Sequence, residues 1–322
     1  MKDIFASSPK PNEPWDIVII GSGPAAFTAA IYTTRGAAST LILAGERWGG
    51  QLMLTTTVDN FPGFPKGIEG PDLMQLMRTQ AERFGTKVIE KNVSSVELAQ
   101  TPFKLTAGGV EYLAKTILIA TGSATRWLNI PGEEKLRGRG VGSCAPCDAP
   151  FFKDKTVVVI GGGDSAMEEA LVLTKYALKV TIIHRGSEFR ASSAMQEKVK
   201  KNPKITTLFN TEVKEFIGEN KLEKVILFDN QTKKASEILI DGAFIAIGHT
   251  PASDIFHGKI LLDEKGYIKQ GHDPKAQMQT TVPGVFTAGD IHDFRYKQAV
   301  SAAGFGCIAA LEILYYLDNI KA

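Results

Sequence analysis

Two stretches of this chain repeat one pattern, and that repetition restricts the fold more than any other feature. WDIVIIGSGPAAFTAAIYTTRGAASTLILAG from Trp15 and KTVVVIGGGDSAMEEALVLTKYALKVTIIHRG from Lys155 each read strand, tight turn, helix, strand. The apolar runs at 17–20 and 157–160 have the unbroken hydrophobicity of strands buried on both faces, as in a parallel sheet covered by helices. The expected fold class is therefore α/β, with two Rossmann-like three-layer domains. Further strands are expected at 86–93, 103–106 and 116–120, the last closed by Thr121 and Gly122, and again at 205–210, 224–228 and 243–247. The run Gly248, His249, Thr250, Pro251 punctuates the chain as a linker. Beyond it, a strand at Val285 and Phe286 and a closing helix over 298–317 are expected to return to the first domain.

Length and charge narrow the function classes. At 322 residues the chain fits about two domains of roughly 150 residues each. Its 37 Lys plus Arg against 35 Asp plus Glu leave a net charge of +2, which gives no general electrostatic case for nucleic acid or membrane partners. The opening MKDIFASSPKPNEP lacks the apolar core of a secretory signal and reads as a short solvated tail. The uncharged run 17–34 approaches membrane-span length, but Gly21, Gly23 and Pro24 break it where a strand should end. A cytoplasmic location is expected. Three cysteines are too few for a secreted disulfide scaffold, and cytosolic disulfides are usually catalytic or redox-sensing.

Gly21, Gly23 and Ala26 form GxGxxA directly after a strand and at the opening of a helix, the context a dinucleotide fingerprint requires. The first glycine permits the turn, the second admits the pyrophosphate, and the small third residue lets helix pack on strand. Helix amides then face the phosphate. Gly161, Gly163 and Ala166 repeat the arrangement, so two dinucleotides are implied. In the second unit the next strand ends at His184 and Arg185, with Arg190 a turn later and no acid at the strand end, which favours the 2′-phosphate of NADPH. In the first unit the strand ends Leu43-Ala44-Gly45-Glu46, placing the acid that would meet a ribose later than usual.

Between the two units lies Cys144-Ala145-Pro146-Cys147-Asp148. A CxxC serves zinc sites, redox sites and haem attachment, and Asp148 stands where haem attachment wants His. Zinc would need four ligands, and the remaining cysteine, Cys307, sits in the small-residue stretch 302–310 and reads as a buried helix residue. The histidines at 184, 249, 257, 272 and 292 show no ligand spacing, so no metal is expected, and His249 beside the linker reads as structural. A redox pair is the expectation. Pro146 fits the first turn of a helix whose amide ends could favour thiolate. Asp148 reads either as a general acid for a departing thiolate or as a solvated helix-start residue. Glu168 and Glu169 read as helix surface or packing partners, and Tyr315 with Tyr316 as interface or core.

With these residues assembled, the chain resembles the low-molecular-weight thioredoxin reductases, FAD-dependent pyridine nucleotide-disulfide oxidoreductases, from nearly end to end. GSGPAAFTAAIYTTR, GGQLMLTTTVDNFPGFP, ATGS, SCAPCDAPFF, GGGDSAMEEA, HRGSEFRAS, IAIGHTP and VPGVFTAGD occur in the family's order and spacing. The resemblance implies a homodimer and a discontinuous FAD domain, 1–125 plus 253–322, with an NADP(H) domain carrying the CxxC inserted at 126–252. It places Gly21, Gly23, Pro24, Ala25, Glu46, Gly50, Gln51, Asn60, Thr121 and Gly122 at the flavin nucleotide, with Gly289 and Asp290 at its ribityl or phosphate region. Gln298 and Ala299 would meet the isoalloxazine, and Lys297 before them is also assigned to the cofactor. Gly161, Gly163, Asp164, Ser165, Ala166, His184, Arg185, Arg190, Ile247 and Gly248 would hold the nicotinamide nucleotide.

The implied activity passes electrons from NADPH through FAD to the Cys144/Cys147 dithiol and on to a thioredoxin-like protein. Cys147 would be the flavin-proximal thiol, Cys144 the one that attacks the incoming disulfide, and Asp148 the proton manager. Because one dithiol must serve both flavin and partner, the inserted domain is expected to rotate about linkers near 122–127 and 248–253. Three departures stand out. The family's HRRxxxR has Gly186 at its second basic position, the usual Arg-Gln-Ala reads Lys297-Gln298-Ala299, and the usual Asp-Gly reads Asp148-Ala149, a backbone expected not to need positive φ. Rival readings are a dithiol oxidase using oxygen, a reductase using NADH or another donor, and a nucleotide-sensing interaction protein. A peroxide-system reductase is set aside because the tail is short.

Overall fold

The computed structural model describes residues 8–9, 13–271 and 276–320. His272 and most of the expected solvated tail lie outside the described residues. The chain forms two compact units, Met1–Ala124 with Thr250–Ala322, and Thr125–His249.

In the first unit, β1 (Trp15–Ile20) leads through a glycine turn into α1 (Pro24–Arg35) and then β2 (Thr40–Leu43). A short ribbon, β3 (Thr57–Val58) and β4 (Ile68–Glu69), precedes α2 (Gly70–Arg83). Then come β5 (Lys87–Ile89), β6 (Val93–Glu97), β7 (Phe103–Ala107) and β8 (Val110–Ile119). The early part of β8 pairs antiparallel with β7, while its later part runs parallel to β1. β2 and β5 extend the parallel sheet on the far side of β1.

The alternation along β1 explains its all-apolar sequence. Ile17 and Ile19 enter the core under the helices, and Val18 and Ile20 enter the opposite core beneath the β6–β7 arm. That gives the three layers. Pro24 at the start of α1 forgoes an amide that has no intrahelical partner and presets φ for the helix.

Ser123–Thr125, here β9, is the first connection between units and pairs with the second connection, described below. In the second unit α3 (Glu133–Leu136), β10 (Val141–Gly142), α4 (Ala145–Asp148) and β11 (Thr156–Ile160) are followed by α5 (Asp164–Leu173), β12 (Lys179–Ile183), α6 (Ser193–Lys201) and β13 (Ile205–Leu208). An antiparallel arm of β14 (Thr211–Ile217), β15 (Lys224–Asp229) and β16 (Ala235–Leu239) leads to β17 (Gly242–Ile245). The central sheet has the order β10-β17-β11-β12-β13 and is parallel throughout. Val157 and Val159 face the helices while Val158 and Ile160 face the arm, the same division as in the first unit.

The chain returns through β18 (His249–Pro251), the partner of β9, to β19 (Val285–Thr287) and α7 (Ala299–Ile320). β19 runs parallel to β8, and α7 packs on α1. A Cβ at Gly306 would stand 2.2 Å from the Ala25 carbonyl oxygen, so that close helix contact requires glycine. By length and composition α7 could cross a membrane, yet Ala302, Gly306, Ala309, Ala310, Ile313 and Leu317 are buried in this unit.

Several expectations need correction. The strand expected at 86–93 is two strands, broken at 90–92. The arm strands β14 and β16 were not anticipated, because polar residues interrupt their apolar positions. Cys307 is half-buried, not buried. The reading of Tyr315 with Tyr316 as interface or core needs no correction in its core half: Tyr316 packs edge-on against Phe286 at 5.9 Å, and Tyr315 is exposed.

Phe286 is fully buried among α1, α7 and the sheet. Phe286→Ala should lower unfolding stability by about 3–5 kcal/mol in urea denaturation, the usual cost of emptying an aromatic core site.

Candidate active site

The first unit holds a cavity of ≈ 610 Å³ above the ends of β1, β2 and β8. Its floor is the β1–α1 turn. Gly21 has φ +115, and a Cβ there would stand 2.2 Å from the Ala120 carbonyl oxygen, so no side chain fits. A Cβ at Gly23 would meet nothing within 4 Å, which leaves the backbone open toward the cavity. Pro24 and Ala25 continue this floor at the start of α1. The volume suits a bound organic cofactor, since such pockets measure ~300–1,000 Å³.

The walls bring most of the expected flavin residues together. Glu46, Gly50, Gln51, Thr121 and Gly122 line one part, and Gly289, Asp290, Lys297, Gln298 and Ala299 another. Asn60 stands outside this wall and reaches it through its Nδ2, which donates to Gln298 Oε1 at 3.2 Å. Ser22 fastens the wall to the floor, donating from Oγ to the Ala44 carbonyl at 2.8 Å and accepting the Gly49 amide at 2.9 Å. Burial, reinforced by Asp293, pushes Asp290 up to about 6 while Lys297 opposes the shift; burial in turn lowers Lys297.

The second unit repeats the cradle. A Cβ at Gly161 would stand 2.4 Å from the Ala246 carbonyl oxygen, whereas one at Gly163 would again meet nothing. Asp164, Ser165 and Ala166 open α5. Asp164 Oδ1 accepts both the amide and the hydroxyl of Ser192, and the Gly162 carbonyl accepts the amides of Arg190 and Ala191. The loop after β12 is thereby tied to the glycine turn, carrying Arg185 and Arg190 as exposed side chains beside it. His184 is buried, its ring 5.8 Å from that of Phe189 and 6.4 Å from that of Phe209. A Cβ at Gly186 would stand 2.9 Å from His184 Nε2, so the packed histidine crowds that position. Ile247 and Gly248 follow β17, with the Gly248 carbonyl accepting the Arg126 amide at 2.9 Å.

Cys144 and Cys147 are joined by a disulfide, with their Cα atoms 5.3 Å apart. Both are half-buried at the start of α4, and Pro146 occupies its first turn. Ala149 has φ −52, an ordinary helical value, so alanine fits where the resembled family has glycine. Asp148 lies over Gly142, where an added Cβ would be 3.0 Å from Oδ2, and burial raises its carboxyl to about 6. One expectation changes here. The amides of this turn already have protein acceptors: Ala145 N–H donates to Glu169 Oε2 at 2.5 Å, and Cys147 and Asp148 N–H both donate to the Cys144 carbonyl at 3.1 Å.

Glu169 is thus a packing partner of the redox helix itself, whereas its neighbour Glu168 is exposed. Other contributors had not been singled out. Asn92 Oδ1 accepts the Glu46 amide at 3.1 Å in the cavity wall. Asp293 accepts the amides of Arg295, Tyr296 and Lys297 at 3.0, 2.9 and 3.0 Å, shaping the loop that presents Lys297. An Asx turn is a legible signal for Asp293; for Asn92 none was available.

The arrangement comprises two nucleotide-type cradles and a half-buried disulfide flanked by carboxyl groups, a combination suited to moving electron pairs and protons. Comparison with known proteins agrees. The family model described as pyridine nucleotide-disulphide oxidoreductase matches residues 15–306. A thioredoxin reductase of Mycolicibacterium smegmatis is 47% identical over 298 residues, covering 92% of this chain and 94% of that protein. One from Rickettsia felis is 46% identical over 309 residues, covering 94% and 98%. The crystal structure of a thioredoxin reductase from Streptococcus pyogenes superposes with a TM-score of 0.90 at 36% identity, covering 96% of this chain and 99% of that one. The chain belongs to the pyridine nucleotide-disulphide oxidoreductase family.

Proposed function

We propose that this chain is a thioredoxin reductase that uses FAD and NADPH to reduce the disulfide of thioredoxin or a thioredoxin-like protein. The observation that carries the reading is the Cys144–Cys147 disulfide at the start of α4, within the unit that also holds the second glycine cradle. Identity of 46–47% to proteins with that name, across more than nine-tenths of the chain, supports it.

The cavity of the first unit is assigned to FAD, with Gly21 and Gly23 at the pyrophosphate, Glu46 toward a ribose and Asp290 near the ribityl or phosphate region. Lys297, Gln298 and Ala299 would approach the ring system. The cradle at Gly161 and Gly163 is assigned to NADPH, with Arg185 and Arg190 for the 2′-phosphate. When bound, these cofactors would supply the hydride chemistry that side chains lack, leaving the disulfide exchange to the cysteines. The inserted unit would turn about the connections near 122–127 and 248–253, a reading supported by the chain crossing between units at those two places alone. A cytoplasmic location and a homodimer complete the proposal.

The protein's own chemistry is thiol exchange. With the pair reduced, the Cys144 thiolate attacks one sulfur of the partner disulfide, forming a mixed disulfide and releasing a partner thiolate that takes a proton. Cys147 then attacks Cys144 Sγ, restoring the internal disulfide and releasing the second partner thiol. Asp148, its carboxyl raised to about 6, is assigned as the group that gives and retrieves the proton.

Incubation with NADPH and oxidised thioredoxin should produce free thiols continuously, and Cys144→Ser or Cys147→Ser should abolish this. Thiol production undiminished by either change would refute the reading, and oxygen-dependent disulfide formation in its place would favour a dithiol oxidase. Gly23→Val should leave the melting temperature of the flavin-free chain near its unsubstituted value yet prevent retention of FAD on gel filtration, because its side chain would enter open cavity space. The protonated form of Asp148 declines as pH rises through about 6. Its role as acid should therefore appear as a fall in the thiol-exchange step across that range, and Asp148→Asn should slow the step by about 10²–10⁴ and erase the inflection.

A further inference from the structure

Reduction of the Cys144–Cys147 bond takes up two electrons and two protons and leaves two thiols, the electrons coming from NADPH in the proposed reaction. The ease of that reduction depends on how readily each sulfur carries negative charge, which a helix start normally favours through its unpaired amides. In α4 those amides are engaged elsewhere. Pro146 has none, Cys147 and Asp148 donate to the Cys144 carbonyl, and Ala145 donates to Glu169 Oε2 at 2.5 Å. Glu169 reaches this amide from the neighbouring helix α5, 24 positions along the chain. The charged groups bearing on its carboxyl are Asp148 on α4 and Glu168 on its own helix, both acids.

We propose that Glu169 is a positioning residue for the redox pair: its carboxyl fixes the first turn of α4 through the Ala145 amide, and when ionised it places negative charge beside Cys144 that restrains thiolate formation there. This rests on the disulfide-reductase reading for its relevance, although the interaction does not. Burial, with Asp148 and Glu168, raises Glu169 to about 7, against which the Ala145 hydrogen bond pulls downward. The restraint should therefore be weak below about pH 6 and grow as pH rises through 7. A dithiol so held stays largely protonated until a partner approaches.

The test uses the full chain carrying Cys147→Ser, so that Cys144 is the thiol followed. Its iodoacetamide alkylation is measured from pH 5 to pH 9 by mass spectrometry of the Cys144 peptide, with and without Glu169→Gln. Glutamine retains an acceptor for Ala145 N–H and removes only the charge. The two profiles should coincide at low pH and separate above about pH 7, the Gln chain forming thiolate about half a pH unit earlier, or about threefold more at a given pH. Superimposed profiles, or a later rise in the Gln chain, would overturn the proposal. Should that variant not fold, the Glu169 chain alone decides: a profile that requires two coupled protonations, one of them near pH 7 ahead of the main rise, supports coupling, and a profile described by a single one-proton curve overturns it. Neither measurement uses flavin, NADPH or thioredoxin, so failure of the thioredoxin reading would leave the result interpretable.

Discussion

At both glycine turns a main-chain carbonyl stands where a side chain would begin. The Ala120 oxygen occupies that space at Gly21 and the Ala246 oxygen at Gly161, 2.2 and 2.4 Å from the missing Cβ. These contacts let each helix start directly above its strand, with Ala26 and Ala166 fully buried at the helix–strand contact. A substituent larger than hydrogen would lift the helix away, and the open backbone at Gly23 or Gly163 would no longer face its cavity or cradle. The rest of each unit follows from holding that turn: strands buried on both faces, helices over one side and an antiparallel arm over the other.

Chemistry concentrates where charge is confined. Asp148, Glu169 and Asp290 are all held above the usual carboxylate range, each mainly by burial. For such groups the folded state binds protons more tightly than the unfolded chain. They therefore cost stability as pH rises from the ordinary carboxyl range through about 6 to 7, and below that range they add nothing. Two of the three adjoin the disulfide and the third lines the cavity of the first unit. Tolerating this cost at those positions, when asparagine or glutamine would remove it, is consistent with proton handling.

Much of the fold was legible because its signals are local. The runs at 17–20 and 157–160 have the unbroken hydrophobicity of strands buried on both faces, and the glycine spacing after each marked the turn and the helix start. The arm strands β14 and β16 were not legible, since their half-exposed positions carry charges that blur alternation. The break at 90–92 was also invisible: it contains Asn92, whose side chain accepts the Glu46 amide, 46 positions earlier in the chain. Among site residues, the expected flavin set converges on one cavity except for Asn60, which touches it through Gln298. Glu169 looked like any acid on a helix, since nothing nearby in sequence reveals a partner 24 residues away. The crowding of position 186 by His184 is likewise tertiary, arising from the packing of that ring against the glycine turn and two phenylalanines.

Counting electrons tests the central claim most directly. The flavin-loaded chain would be titrated anaerobically with NADPH while flavin absorbance is followed, beside a chain in which Cys144 and Cys147 are both serine. A flavin and a disulfide each accept an electron pair, so complete bleaching should require about two equivalents of NADPH per chain with the cysteines present and about one without them. Bleaching complete after about one equivalent in the intact chain would mean that the disulfide receives no electrons from the flavin, and would contradict this mechanism.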